Sequence, residues 1–349
     1  MSETLTKTAK PARSGRPGAS SAADIVLRSA RWKPAEYVFW VVALAVALLL
    51  PRQLLLLNEI AILALFALSL DLILGYAGIV SLGHAAFLGL GAYTAGILAQ
   101  QGWNDPLLGL GAAAVLSAAL GFATSFLLLR GTDLTRLMVT LGIALMLGEL
   151  ANRFSSLTGG ADGLQGVTVG PVLGVFAFDL FGRTAYLYSL TVLFVLFLLA
   201  RRIVHSPFGL SLRAVKANPL RARSIGISVN VRLVAIYTIA AAYAGIAGAL
   251  LAQTTQFVSL DVLEFHRSAD VLLVLVIGGV GYLYGGILGA VIFKVMQDVL
   301  MSFTPQYWLF WIGLVLVVLV LTGRERVSEF LQGAVGRLFA LVPGFGRRA

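Results

Sequence analysis

Three histidines, sixteen carboxylates and no cysteine are the chain's stock of reactive side chains, and their spacing limits what they can do. His84, His205 and His266 fall on three separate segments, without the short repeats that bring ligands to one metal ion. No metal site, thiolate site or disulfide is therefore expected. His205 borders a basic stretch and His266 lies in a connection. His84 opens an apolar run in Gly83-His84-Ala85-Ala86-Phe87, where it either bonds neighbouring backbone or lines a pathway. Glu149 and Arg153 are four residues apart, as are Lys294 and Asp298, so each pair is expected to neutralise itself on one helix face. Asp71 is expected to reach the membrane interface from the end of its run. Glu59 and Asp270 stand near predicted ends, so they do not supply the unpaired midplane carboxylates of an ion-coupled carrier. No glycine-rich loop followed by Lys-Ser/Thr is present, so nucleotide is not bound in the P-loop manner. No cofactor and no catalytic constellation are expected, and any work the chain does must be powered from outside it.

The elements that carry these residues are membrane spans. Hydrophobic residues make up 59% of the 349 positions and charged residues only 12%, against about 25% charged in soluble chains. Several apolar runs reach the roughly 20 residues a helix needs to cross a bilayer, and none alternates as barrel strands do. The net charge of +10 is confined to the first 35 residues, a central loop and the C-terminal end, the distribution of cytoplasmic flanks rather than of a nucleic-acid surface. The fold class is all-α: a polytopic transmembrane helical bundle of about ten membrane segments, eight to ten being the range, with short glycine-broken hairpins.

Spans are expected over 38–50, 54–74, 81–99, 107–129, 137–151, 184–200, 233–253 and 308–321. Residues 269–301 exceed one span and are divided by Gly278-Gly279-Val280-Gly281 and Gly285-Gly286 into two helices folded back on each other. Residues 1–35 read as a disordered basic cytoplasmic tail without the apolar region of a signal peptide, resting on anionic lipid. Residues 36–322 form the transmembrane domain, and 323–349 a basic cytoplasmic tail. A short loop between Arg130 and Arg136 is placed on the same side. Small residues recur every four positions at Gly91, Ala95 and Ala99, at Ala241, Gly245 and Ala249, and at Gly281, Gly285 and Gly289. That spacing lets helix backbones approach closely.

The central loop, 201–232, carries seven Arg/Lys and no Asp or Glu. Fixing topology needs fewer charges, and the punctuation points to structure. Ser206-Pro207 starts a helix with Leu212 and Val215 on one face and Arg213 and Lys216 on another. Asn218 caps a second helix with Pro219 at its first position, and Gly226 ends it. A compact basic knob on the cytosolic face is a docking surface.

The run Gly75-Tyr-Ala-Gly-Ile-Val-Ser-Leu-Gly-His-Ala-Ala-Phe-Leu-Gly-Leu-Gly-Ala-Tyr93-Thr94 resembles the signature of LivM-type permeases of branched-chain amino acid ABC transporters. So do Met138-Val-Thr-Leu141 with Thr158-Gly-Gly-Ala-Asp-Gly163, Ser206-Pro-Phe-Gly209 with Arg213-Ala214 and Ile225-Gly226, and Gly278-Gly-Val-Gly281 with Gly285-Gly286. The resemblance covers about residues 36–322; Val215-Lys216-Ala217 departs from the Glu-Ala-Ala common there. It implies the permease domain of an importer in the bacterial inner membrane, multi-pass, with both termini cytoplasmic. Its partners would be a homologous LivH-like permease, two cytosolic LivG/LivF-like ATPases that use the ATP, a periplasmic or extracytoplasmic substrate-binding protein and membrane lipid. Coupling to the ATPases would fall to Leu212, Arg213, Ala214, Val215, Lys216, Ala217 and Asn218, and Ser81, His84, Tyr93 and Thr140 would line the path. The substrate class implied is branched-chain or similar hydrophobic amino acids. The same architecture serves urea, short amides and small aromatic acids, and an ion-coupled secondary carrier is the reading from another class.

Overall fold

The computed structural model describes residues 34–129, 131, 133–179 and 181–322. The basic tails expected over 1–35 and 323–349 lie outside the described residues, except that Pro34 and Ala35 open the first helix, and Arg130 also lies outside them.

Twelve main helices follow in order: α1 (Pro34–Leu49), α2 (Leu54–Asp71), α3 (Ala85–Gln100), α4 (Pro106–Leu128), α5 (Asp133–Arg153), α6 (Arg183–Val204), α7 (Pro207–Ala217), α8 (Pro219–Ser224), α9 (Val229–Thr255), α10 (Phe265–Gly278), α11 (Leu283–Phe303) and α12 (Trp308–Thr322). No strand forms among the described residues. Two isolated bridges form instead, Leu164 with Val258 and Val172 with Phe176, and Gly170 N donates to the Asn104 carbonyl at 2.8 Å.

Among the described residues, six helices are long and apolar enough to cross a membrane: α2 with its flanking turns, α4, α5, α6, α9 and α11. The structure is therefore a polytopic helical bundle with six full-length spans, where about ten were expected. The difference has a local cause. α1, α3, α10 and α12 are 16, 16, 14 and 15 residues long, and α3 and α10 are cut short by unwound backbone. α3 begins at Ala85, not Ser81, because α2 runs on into a wider π-helical turn, Leu72–Ala77, and then breaks. Gly78 ends that turn at φ 75°, a left-handed conformation that costs glycine nothing. Gly279 ends α10 at φ 104°.

α2 and α9 form the centre, with 89% and 67% of their most apolar windows buried, whereas only 17% of that of α5 is buried. α9 packs on α3 and α4, and α2 on α6 and α11. The predicted small-residue spacing makes these contacts. A Cβ on Gly91 would overlap the backbone of Gly245, and one on Gly245 would overlap Ser117 on α4. Gly285 and Gly289 do the same for α10 and α11, meeting the backbone of Gly278, Gly279 and Val274. Lipid tails are as apolar as the helices, so close backbone packing rather than hydrophobic transfer holds such a core.

The charged pairs differ from expectation. Lys294 bonds Glu59 on α2 at 2.8 Å instead of Asp298, and Glu149 and Arg153 form no ion pair among the described residues. A helix-local rule sees only neighbours four residues apart; tertiary packing brought Lys294 a partner 235 positions away. Arg201 pairs with Glu36 in a nearly buried contact that ties α6 to α1, and Tyr284 donates to the same carboxylate at 3.2 Å.

Candidate functional site

The knob folds as its punctuation requires. Ser206 accepts from Gly209 N at 3.4 Å to start α7, and Asn218 accepts from Arg221 N at 3.0 Å to start α8, each ahead of a proline that needs no such partner. Leu212 and Val215 are buried against the bundle and fix the knob in place. Arg213 lies over the Tyr76 ring at 5.4 Å, and Lys216 donates to the Gly75 carbonyl at 2.6 Å. Of the seven residues expected to meet an ATPase, these four therefore engage the chain's own core. Ala214 is half-buried, Ala217 is exposed and Asn218 is occupied as a cap. The outermost apolar side chains of the knob are Leu220 and Ile225, both 73% exposed, beside Arg221 and Arg223. Nothing in the sequence distinguished them from the other apolar residues of the loop.

Lys216 reaches the point where α2 loses its regular bonding. Below its Gly75 contact, Asp71 is fully buried rather than at the interface, and its Oδ1 accepts from Gly281 N at 2.7 Å. The π-turn after α2 and the break between α10 and α11 are thus joined through one carboxylate. A Cβ on Gly75 would strike both Asp71 and Gly281 N, so the approach needs glycine there. An open cavity of about 750 Å³ lies over this junction, lined by Tyr76, Lys216, Gly281 and the Glu36–Arg201 pair among others.

Three of the four residues expected on the path converge on the unwound stretch 78–84. Thr140 on α5 accepts from Leu82 N at 3.2 Å, Ser81 is fully buried beside it, and Ser268 on α10 accepts from Ala85 N at 2.9 Å. His84 stacks on Phe66 with ring centroids 5.4 Å apart, and its Nε2 lies 2.8 Å from Ser69 Oγ. Ser69 already donates to Phe66 O, so the histidine donates to Ser69 and its Nδ1 keeps the lone pair. His84 is therefore held in the core, at the break, by a side-chain partner on α2 rather than by neighbouring backbone. Tyr93 stands apart, on an apolar groove of about 450 Å³ between α3, α4 and α5. Ser81 Oγ, His84 Nδ1 and Tyr93 OH are buried without a hydrogen-bond partner, whereas Thr140 is satisfied.

The loop bonds that end the helices here come from residues distant in sequence, Ser268 from 183 positions away. The cluster Asp261, Glu264 and His266 could hold a cation by distance alone, but Asp261 is engaged by Arg267 and His266 faces both acids.

Comparison with known proteins places these features in context. The profile of the family described as "Branched-chain amino acid transport system / permease component" matches residues 53–320. The chain is 29% identical over 279 residues to the "High-affinity branched-chain amino acid transport system permease protein LivM" of Salmonella typhimurium, and 28% identical to that of Escherichia coli. In both, the match covers 73% of this chain and 65% of the relative. It is 31% identical over 253 residues to the "Autoinducer 2 import system permease protein LsrC" of an Enterobacter species, covering 68% of this chain and 69% of that one. No solved structure matches.

Proposed function

The chain belongs to the family of branched-chain amino acid transport system permease components, and from that membership we propose that it is the translocating subunit of an ATP-driven importer of branched-chain or similar hydrophobic amino acids. The observation that carries the reading is the Lys216–Gly75 bond, because it connects the exposed knob to the broken helix in one step. ATPase subunits close on ATP and displace α7–α8 through Leu220, Ile225 and the flanking arginines. Lys216 and Arg213 pass that displacement to the π-turn, and Asp71 passes it on to the break between α10 and α11. The unwound stretch with Ser81, His84 and Thr140 then changes its access from one side to the other, and Tyr93 borders the same path from the α3 side.

In this reading the shorter α1, α3, α10 and α12 also traverse the membrane, alternating in direction with the six longer helices, so that both termini are cytoplasmic. The partners are a second, homologous permease, two ATPases and an extracytoplasmic binding protein. The outward apolar faces of α4 and α5 meet lipid or the second permease. Selection among leucine-like solutes belongs largely to the binding protein. The name of the 31% identical relative, an autoinducer 2 permease, fits an architecture that serves several solutes.

The test is to replace Leu220 and Ile225 together by Asp. Two desolvated apolar anchors of this size typically contribute about 2 kcal/mol or more each at an interface. ATPase co-purification and labelled-leucine uptake should be lost while the amount of chain in the membrane is unchanged. Uptake that persists would remove the knob as the coupling site.

A further inference from the structure

On the side of the bundle away from the knob, a second cavity of about 340 Å³ opens between α2, α3, α9, α10 and α11. Glu59, which borders it, lies twelve residues before Asp71 on α2, about 18 Å along the helix. Its floor is apolar: Leu63, Phe66, Leu88 and Leu251. Its rim is not. Lys294 and Arg267 supply two cations, and Asp270 lies beside them half-buried. Gln297 contributes an amide oxygen that is buried without a hydrogen-bond partner.

Each of the two cations is held by an exposed acid, Glu59 at the rim itself and Asp261 beyond it. Lys294 bonds Glu59, whose side chain is 51% exposed, and Arg267 pairs with Asp261, 40% exposed. Pairs of that exposure are worth little and exchange readily. Asp270 has neither cation as a hydrogen-bonded partner among the described residues. A charged group in such a place normally marks a solute or ion route. The cavity falls at the lower end of the roughly 300–1,000 Å³ of small-molecule sites, and its plan is theirs, an apolar bed with a few convergent polar groups.

We infer that this cavity is a transient binding site for a zwitterionic, apolar α-amino acid, a deepening of the importer reading on which it rests. The carboxylate of the solute takes Lys294 and Arg267 from Glu59 and Asp261. Its ammonium bonds Asp270 and the amide oxygen of Gln297, and its side chain lies on Leu63, Phe66 and Leu251. Phe66 is the ring on which His84 stacks, so an occupied site abuts the unwound stretch directly. Both ends of the solute are read by charge, so removing either charged group should cost about tenfold or more in affinity.

The experiment measures binding to the purified full chain in detergent, with leucine, isocaproate (no ammonium), isoamylamine (no carboxylate) and phosphoethanolamine as probes. Leucine should bind saturably and the two singly charged analogues at least about tenfold more weakly. Asp270→Asn should bring leucine down to the level of isocaproate without changing isocaproate. Lys294→Gln should weaken leucine and isocaproate but spare isoamylamine, and Gln297→Leu should act on the ammonium-bearing probes only. Melting curves for each variant separate lost binding from lost fold. Equal binding of leucine and isocaproate, an Asp270→Asn variant that binds leucine normally, or phosphoethanolamine as the tightest probe, which would assign the site to lipid headgroups, would each overturn the inference. Uptake in cells separates the two readings. Asp270→Asn cells importing leucine at the full rate would remove this site and leave the importer intact. A wild-type chain that binds leucine in detergent but supports no ATP-dependent uptake would do the reverse.

Discussion

Lys216 carries more consequence than its bond energy would indicate. A partly exposed hydrogen bond from a charged donor adds about 1–2 kcal/mol to stability, too little to hold a bundle of this size together. Its value is positional, since it joins the outermost loop to the carbonyl of Gly75, where α2 has left regular helical bonding. Lys216→Met should therefore leave the chain in the membrane at normal amounts and reduce uptake at least about tenfold; unchanged uptake with unchanged ATPase binding would show that the bond transmits nothing. Its neighbour in the same junction, Asp71, was misread from sequence as an interface residue. An aspartate near the end of an apolar run looks like a snorkelling group, and only the approach of Gly281, 210 positions on, turns it into a buried acceptor.

Helices and breaks were legible in different degrees, for a physical reason. The knob was readable almost to the residue because Ser206-Pro207, Asn218-Pro219 and Gly226 are local signals whose chemistry acts within a single turn. The start of α3 was not, because 77–99 holds no proline and no acidic or basic side chain except His84 to mark where a helix begins. What unwinds its first part is a set of bonds from Thr140 and Ser268, on helices the local pattern does not mention. The small-residue spacing was legible as packing, but which helices it joined was not. Gly91 and Gly245 bring α3 and α9 into backbone contact, and a Val side chain at 91 cannot be absorbed by moving a side-chain tip. Overpacking ordinarily costs about 1–3 kcal/mol, and here the obstacle is backbone. Gly91→Val should lower the melting temperature and the yield of folded chain, whereas Gly111→Val, with open space around it, should leave both near normal; equal effects would contradict the packing of α3 on α9.

Taken as one body, the described chain differs at its two ends: a basic knob latched over an open cavity at one, and a smaller cavity with a charged rim at the other. The proposal puts the knob in the cytosol. Because the natural chain has no cysteine, single cysteines introduced at Ile225 and at Glu264 report sidedness directly. An impermeant maleimide should label Glu264→Cys in intact cells and Ile225→Cys only after permeabilisation, and the opposite pattern would invert the proposed topology. Substrate was the least legible property, since permease helices that move a solute need few groups specific to it.

The central claim, that this chain is moved by nucleotide hydrolysis in a neighbour, meets its most direct test in proteoliposomes. Solute accumulation is measured with the chain alone and with the complex purified through it, with ATP supplied on the knob side. The complex should concentrate labelled leucine only with hydrolysable ATP, and the chain alone should not concentrate it under any ion gradient. Accumulation by the chain alone, driven by a proton or sodium gradient and indifferent to ATP, would contradict the account.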